Sequence, residues 1–185
     1  QFRNEMPLST GYLTDKSMKR TVVVGDIHGC YEELLDLMDR IGPAAGDDVI
    51  SVGDLVTKGP SNKAVIDFFR AGKNRSAVIG NHDRVLLKKY LGHDVKLETF
   101  HVQAIADFGD HFGEYMGWVA ALPPYVDLGD YVVVHAGLRP GRSLADQDIG
   151  DLTEIRQVVI GGKEIPWFDL YSGNQTVIFG HWVFG

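Results

Sequence analysis

Seven side chains that could bind a metal ion follow short apolar runs at five places in this 185-residue chain. They are carboxylates, an amide and imidazoles, and no cysteine is among them. Such donors suit Mn, Fe, Zn or Co better than Ca, and they do not form a soft-metal site. Six ligands from this set already exceed what one catalytic ion can use, so we expect two ions about 3.5–4 Å apart that share one carboxylate. The seven side chains are those of Asp26, His28, Asp54, Asn81, His82, His135 and His181.

Each of these side chains stands at or just after the end of a predicted β-strand. Residues 21–24 read Thr-Val-Val-Val, and β-branched side chains favour a buried strand. Asp26 and His28 then alternate, so both can point the same way, and Gly29 allows a turn into a helix over residues 30–41. Chemistry in α/β proteins lies at the carboxyl ends of strands, so we expect all seven side chains at one sheet edge. The other four strands are predicted at residues 49–52, 76–79, 131–134 and 176–179.

Composition and charge narrow the class of protein. Apolar residues make up 44% and charged residues 23% of the chain, which is ordinary for a globular protein. The formal net charge of −7 argues against a broad basic surface for nucleic acid. No apolar run has the length of a membrane span, and residues 1–19 lack the apolar core of a signal peptide. Cys30 is the only cysteine, which fits a reducing compartment, so we expect a cytoplasmic location.

Five motifs, taken together, resemble those of a known family. The order of these motifs resembles the phosphoprotein-phosphatase superfamily of calcineurin-like metallophosphoesterases, over residues 20–185. The resemblance implies an α/β fold, an α-β-β-α sandwich of two mixed sheets flanked by helices. It also implies two divalent metal ions, Mn above all, with Fe, Zn or Co as alternatives. The motifs are Gly25-Asp26-Ile27-His28-Gly29, Gly53-Asp54-Leu55-Val56, Gly80-Asn81-His82-Asp83, His135-Ala136-Gly137-Leu138 and Gly180-His181.

The resemblance also implies a role for each motif residue in the hydrolysis of a phosphate ester or anhydride. His82 would act as general acid on the leaving oxygen, since imidazole titrates near neutral pH. Lys58 would be both catalytic and substrate-binding, because its positive charge can stabilise a phosphate. Asn81 would also contact the substrate. Arg156 lies outside the motifs and has two interpretations, a phosphate contact or an ordinary surface arginine. One ion would be held by Asp26, His28 and Asp54, and the other by Asp54, Asn81, His135 and His181.

The second motif departs from that of the protein phosphatases. Those enzymes carry Asp and Arg where this chain has Thr57 and Lys58; in the family the Asp orients the catalytic His and the Arg binds the phosphate. The form Gly-Asp-Leu-Val-x-x-Gly-Pro is similar to that of symmetrical diadenosine tetraphosphatases. The Lys before Gly-Pro is similar to that of their relatives, the ApaH-like phosphatases. Because Thr57 is not acidic, the orientation of His82 must come from elsewhere, or the leaving group must need less help.

The substrate class follows from this departure. A pyrophosphate oxygen is a better leaving group than a serine alkoxide, so weak acid catalysis favours a phosphate anhydride. We therefore predict a small phosphorylated substrate, a dinucleoside polyphosphate such as diadenosine tetraphosphate, and neither a membrane nor a broad nucleic-acid partner. The alternatives are a Ser/Thr protein phosphatase and a polyphosphate or RNA-cap hydrolase of the ApaH-like type. A metal-binding regulatory module without catalysis is the alternative from a different class.

The chain divides into a lead-in and one domain. Residues 1–19 are polar and are predicted to be extended, whereas residues 20–185 are predicted to be a single catalytic domain. Apolar residues recur at helical intervals between about residues 92 and 122, which predicts a helical insertion. His93, His101 and His111 lie in this stretch and match no motif, so we interpret them as ordinary surface or packing histidines.

Overall fold

The computed structural model describes residues 19–182, so the predicted lead-in lies outside the described residues except for Lys19. Strands and helices alternate along the first half of this range. The strands are β1 Thr21–Val24, β2 Asp48–Ser51, β3 Arg75–Ala77, β4 Tyr125–Asp127, β5 Tyr131–Val134, β6 Gln157–Ile160, β7 Lys163–Pro166 and β8 Thr176–Ile178. The helices are α1 Tyr31–Ile41, α2 Asn62–Ala71, α3 Asn81–Tyr90, α4 Thr99–Phe108, α5 Phe112–Val119 and α6 Ile149–Glu154.

The first sheet is parallel, with the strand order β1-β2-β3. Side chains alternate along β1, so Val22 and Val24 face the helices while Val23 faces the second sheet. Parallel neighbours need long connections, and α1 and α2 supply them. α1 ends at Gly42, whose left-handed φ of 56° suits glycine. The sheet therefore presents all three carboxyl ends on the same side.

The second sheet is mixed, with the order β4-β5-β8. β4 and β5 form an antiparallel hairpin whose turn contains Gly129 at a φ of 83°. β8 pairs in parallel with β5, so the carboxyl ends of these two strands lie together. β6 and β7 form a separate antiparallel hairpin. Residues 152–160 contain the end of α6 and then β6.

The two sheets pack face to face. Ile50, Val52 and Val78 of the first sheet and the loops that follow its strands meet Val133 of the second. A larger apolar cluster covers the outer face of the first sheet with helices, and a third, around Trp167, covers the second sheet. The predicted α/β sandwich is confirmed. One detail differs, since the described strands of the first sheet are parallel rather than mixed. The second sheet is covered by the six-residue α6 and a 3-10 turn at Trp167–Asp169.

The stretch predicted to be helical, residues 92–122, contains α4 and α5. Phe108 and Met116 are completely buried, and the two helices contact α2 and α3. α4 thereby lies beside the loop that follows β2. The longest helix, α1, has 11 residues, and within residues 19–182 no helix combines the length and the apolar character that a membrane crossing needs.

Candidate metal and phosphate site

The seven predicted donors come together where the carboxyl ends of both sheets meet. The sequence predicted a single sheet edge, and this was wrong: five donors follow strands of the first sheet and two follow strands of the second. A hydrogen bond joins the sheets here, since Nδ1–H of His135 donates to the carbonyl of Val52 at 2.9 Å. The first sheet supplies Asp26, His28, Asp54, Asn81 and His82, and the second supplies His135 and His181.

Asp54 lies at the centre of the cluster. Its Oδ2 is 3.7 Å from Nε2 of His28 and 3.5 Å from Nε2 of His135. Its Oδ1 accepts a hydrogen bond from the backbone N–H of His82 at 2.9 Å. Only 2% of the residue is exposed, and this burial raises the pKa of the carboxyl to about 7 in the metal-free protein. A buried carboxylate surrounded by imidazoles is the kind of group that a bound dication would stabilise.

Two histidines are oriented by backbone carbonyls. Nδ1 of His135 faces the carbonyl of Val52 at 2.9 Å, and Nδ1 of His28 faces that of Val56 at 3.3 Å. Carbonyls only accept, so these Nδ1 atoms carry the protons of the neutral rings and each Nε2 presents a lone pair to Asp54. Burial lowers the pKa of both imidazoles, which keeps them neutral. Metal-binding histidines in proteins are usually held in this way.

Asn81 connects the remaining donors. Its Oδ1 lies 2.9 Å from Nε2 of His135 and 3.0 Å from Nδ1 of His181. The backbone N–H of His181 donates to both carboxylate oxygens of Asp26, at 3.2 and 3.1 Å. All six candidate ligands therefore belong to one continuous cluster that spans the two sheets.

His28, Asp54 and His82 form a close group of possible ligands, with ligand atoms within 4.8 Å of one another. Nε2 of His82 lies 4.0 Å from Oδ2 of Asp54, about as close as the candidate ligands. The sequence placed His82 at the site as a proton donor rather than as a ligand. In the structure His82 lies where it could act either as a proton donor or as a ligand. Its other ring nitrogen, Nδ1, is within hydrogen-bond distance of the His101 side chain of α4.

Two exposed cations stand beside the cluster. Nζ of Lys58 lies 2.8 Å from Nε2 of His28 and 6.0 Å from the ring centre of Phe100. Arg156 donates from Nε to Nε2 of His181 at 3.2 Å and from its terminal nitrogen to the His181 carbonyl at 3.3 Å. Both side chains are exposed, Lys58 beside a histidine of the first sheet and Arg156 beside one of the second. An anion that reaches the cluster therefore meets positive charge on both sides.

The backbone is strained at the same place. Within residues 19–182, every non-glycine residue with positive φ lies in this site or in the loop that borders it. Such conformations cost on the order of 1–3 kcal/mol each and persist only where surrounding contacts enforce them. One such contact is the bond from the His28 N–H to the Asp54 carbonyl at 2.7 Å. Close packing is another, since a Cβ on Gly80 would overlap the amide and carboxylate of Asp54. The residues are His28, Asp54, Thr57, Lys58 and His181.

Sequence reasoning did not connect His101 with the site. The side chain is buried, as expected for a packing histidine, and its Nε2 lies 3.0 Å from Nδ1 of His82. Thr57 occupies the position of the family's acidic orienter, and its Oγ1 has no hydrogen-bond partner in residues 19–182. The sequence indicated that an orienter was missing, but it could not show which of three histidines in the insertion turns inward. His93 and His111 are exposed, as expected.

The fold and the site define a class of protein. The profile of the family described as calcineurin-like phosphoesterase matches residues 19–184. The chain therefore belongs to the calcineurin-like phosphoesterase family. Membership implies divalent metal ions, and the cluster of His and Asp side chains is consistent with that.

More specific similarity comes from individual proteins. A relative from Aromatoleum aromaticum, named "Bis(5'-nucleosyl)-tetraphosphatase, symmetrical", is 37% identical over 121 residues, which are 64% of this chain and 44% of the relative. A relative of the same name from Vibrio campbellii is 30% identical over 162 residues, 85% of this chain and 59% of the relative. The chain thus spans about half the length of these relatives. The crystal structure of a "putative diadenosine tetraphosphatase" superimposes with a TM-score of 0.72 at 27% identity, covering 87% of this chain and 74% of that one.

Proposed function

We propose that this chain is a metal-dependent phosphohydrolase that cleaves the phosphate anhydride of a dinucleoside polyphosphate, such as diadenosine tetraphosphate. The observation that carries the proposal is the single cluster in which six candidate ligands, His82 and two exposed cations converge from two sheets. The names of the relatives support the choice of substrate.

The donor set fits two divalent ions. Asp26, His28 and Asp54 would hold one, and Asp54 would share the second with Asn81, His135 and His181. The mixture of carboxylate, amide and imidazole donors, with two rings already oriented by carbonyls, suits Mn, Fe, Zn or Co. We expect Mn, because the family resemblance favours it. Bound ions would supply charge neutralisation at the phosphate and a nucleophile at neutral pH.

Two positively charged side chains, Lys58 and Arg156, would bind the phosphates of the substrate. Lys58 lies on the His28 side of the site and offers a point charge to a phosphate oxygen. Arg156 bonds Nε2 of His181, and that bond requires a lone pair on Nε2. The terminal nitrogen of Arg156 also bonds the His181 carbonyl, and the side chain is exposed. Arg156 would therefore offer a second positive charge to a phosphate that reaches the cluster.

The polar groups around the leaving oxygen favour an anhydride. Thr57 and Lys58 stand where protein phosphatases have an acidic residue and an arginine, so this turn supplies neither an acidic orienter for His82 nor a bidentate phosphate contact. His82 faces the site through Nε2, and Asn81 lies next to it. A polyphosphate leaving group needs only a hydrogen bond in the transition state, whereas a serine alkoxide needs a full proton.

The test is product analysis with equal Mn on diadenosine tetraphosphate, inorganic polyphosphate, capped RNA and a phosphoserine peptide. We expect the dinucleotide to be cleaved fastest, with ADP as the only nucleotide product, because attack at the central anhydride is symmetrical. Asp54→Asn should abolish the reaction, and His93→Ala, which alters an exposed histidine, should not. Rapid peptide dephosphorylation with intact dinucleotide would refute the proposal in favour of a protein phosphatase.

A further inference from the structure

We propose that His101 is the positioning residue for His82, and that it replaces, from the helical insertion, the acidic residue that this chain lacks at Thr57. The proposal deepens the proposed function and rests on it, because positioning matters only if His82 serves the hydrolysis. It assigns to α4 a direct part in building the site.

Hydrogen bonds fix the direction of this contact. The backbone N–H of Glu98 donates to Nδ1 of His101 at 3.0 Å. A neutral imidazole has one donor and one acceptor, so His101 must carry its proton on Nε2 and donate it to Nδ1 of His82 across 3.0 Å. His82 must then carry its own proton on Nε2, the ring atom that lies 4.0 Å from Asp54. The chain of bonds therefore starts at a fixed backbone amide and ends with an N–H pointing into the site.

The surroundings hold both rings in place. Only 4% of His101 is exposed. The ring of Phe100 packs edge-on against His82, with centroids 5.3 Å apart, and lies 4.5 Å from the ring of His101. Burial lowers the pKa of His101 and that of His82, in agreement with a neutral pair. Nothing in this arrangement requires either ring to be charged.

α4 is itself tied to the loop in which the acidic residue is missing. Asp107 of α4 accepts the backbone N–H of Asn62 at 3.1 Å, and the Asn62 side chain accepts the backbone N–H of Thr57 at 2.6 Å. Thr57 is completely buried, yet its hydroxyl finds no partner in the described part of the chain. The orienting function has thus moved from this loop to the helix that packs against it.

The role of His101 differs from that of an acidic orienter. A carboxylate accepts a hydrogen bond from the histidine it orients and stabilises the imidazolium form. His101 donates instead, so His82 offers a neutral N–H to the phosphate or to the leaving oxygen. A neutral donor of this kind is adequate for a pyrophosphate leaving group and poor for an alkoxide. His101 is therefore also a determinant of the substrate class.

The experiment compares His101→Gln with His101→Met, two side chains of similar size that differ in the amide N–H. The glutamine should keep most of the wild-type kcat on diadenosine tetraphosphate. The methionine should lower kcat by up to about 100-fold, the cost of misplacing a catalytic group by about 1 Å, with little change in KM. In a His82→Ala background the two substitutions should have equal effects. Equal kcat for the glutamine, methionine and wild-type proteins would overturn the proposal.

A second measurement does not depend on activity, and its decisive part uses only the wild-type protein. Nitrogen-15 NMR of the metal-free wild-type protein should show His82 protonated at Nε2, with Nδ1 as a hydrogen-bonded acceptor. In His101→Met the Nδ1 resonance should shift downfield as that bond is lost. Protonation of His82 at Nδ1 in the wild-type protein would refute the inference while leaving the proposed function intact. If no substrate is cleaved but the NMR result holds, the proposed function fails and the hydrogen-bond assignment stands.

Discussion

Single residues determine which charges this site offers to a phosphate, and Lys58 is the clearest example. Its backbone is held at a φ of 61°, its Nζ lies 2.8 Å from His28, and the side chain is otherwise exposed. A solvated surface lysine would not need a strained backbone. Thr57, in the same turn, is buried and carries no charge. The turn therefore presents one point charge to the site where the protein phosphatases have an arginine.

Replacing Lys58 with alanine should lower kcat/KM on the anhydride substrate by about 10- to 100-fold, because the loss of one charge-assisted contact costs about 1.5–3 kcal/mol. Lys58→Arg should keep much of the activity. Lys63→Ala, which removes a lysine of α2, serves as the control. Steady-state kinetics of the three variants gives the answer, and equal values for wild type and Lys58→Ala would mean that the lysine is only part of the solvated surface.

A second residue-scale prediction concerns Asp47, away from the site. Its carboxylate accepts from the Arg20 side chain at 2.8 Å, from the Arg20 backbone at 3.0 Å and from the Ala44 backbone at 2.8 Å. These bonds, the Arg20 side chain first, lower its pKa to about 2, against about 3.9 in an unfolded chain. The group therefore stabilises the fold fully above about pH 4, and this contribution is lost as the pH falls through about 2.

Asp47→Asn should accordingly lower the thermal midpoint at pH 7, and its difference from wild type should shrink between pH 4 and about 2. The exposed Asp94→Asn is the matched control and should show little change. Thermal unfolding followed by circular dichroism at several pH values provides the measurement. A difference between Asp47→Asn and wild type that does not vary with pH would show that the Arg20 contact is not the cause.

At the scale of elements, the sequence predicted strands better than it predicted how they group. Valine runs at β1 and β5 and the Gly-Asp or Gly-His endings identify the strands and their donors. That the donors come from two stacked sheets depends on packing between Val52, Val78 and Val133, which no local pattern specifies. Arg84 matches no motif role, yet its side chain bonds Thr153 and, at 3.0 Å, Glu154, and so connects α3 to α6.

His101 shows the limit of sequence reasoning for the site. Motifs identify residues that follow a strand within a few positions, and Asp26, His28, Asn81 and His135 all do so. His101 comes from a helix 19 positions beyond His82, and only the packing of α4 on the first sheet's helices brings it there. The sequence shows that Thr57 stands where the protein phosphatases have an acidic residue. It does not show that His101 lies beside His82.

The packing of α4 can be tested through Phe108, which is completely buried and lies 5.0 Å from the ring of Tyr115. Phe108→Ala should destabilise the fold by about 3–5 kcal/mol, the range for removing a buried aromatic side chain. Val102→Ala, on the same helix but 54% exposed, should stay within about 0.5 kcal/mol of wild type. Urea unfolding measures both. Similar stability for the two variants would mean that α4 is not anchored through Phe108.

At the scale of the whole molecule, the sandwich brings together residues that are far apart in the chain. The backbone N–H of His181 bonds Asp26 across 155 positions, and His135 bonds Val52 across 83. Neither sheet alone has a complete set of donors. We infer that folding the two sheets together creates one site for two ions, with Asp54 shared between them.

The number of metal ions bound per chain tests this inference. The purified protein, loaded with Mn and then desalted, should contain two ions per chain by inductively coupled plasma mass spectrometry. Asp54→Asn should retain fewer than one, because the shared ligand is lost, while Asp94→Asn should still retain two. Two ions in both variants, or none in the wild-type protein, would contradict the account.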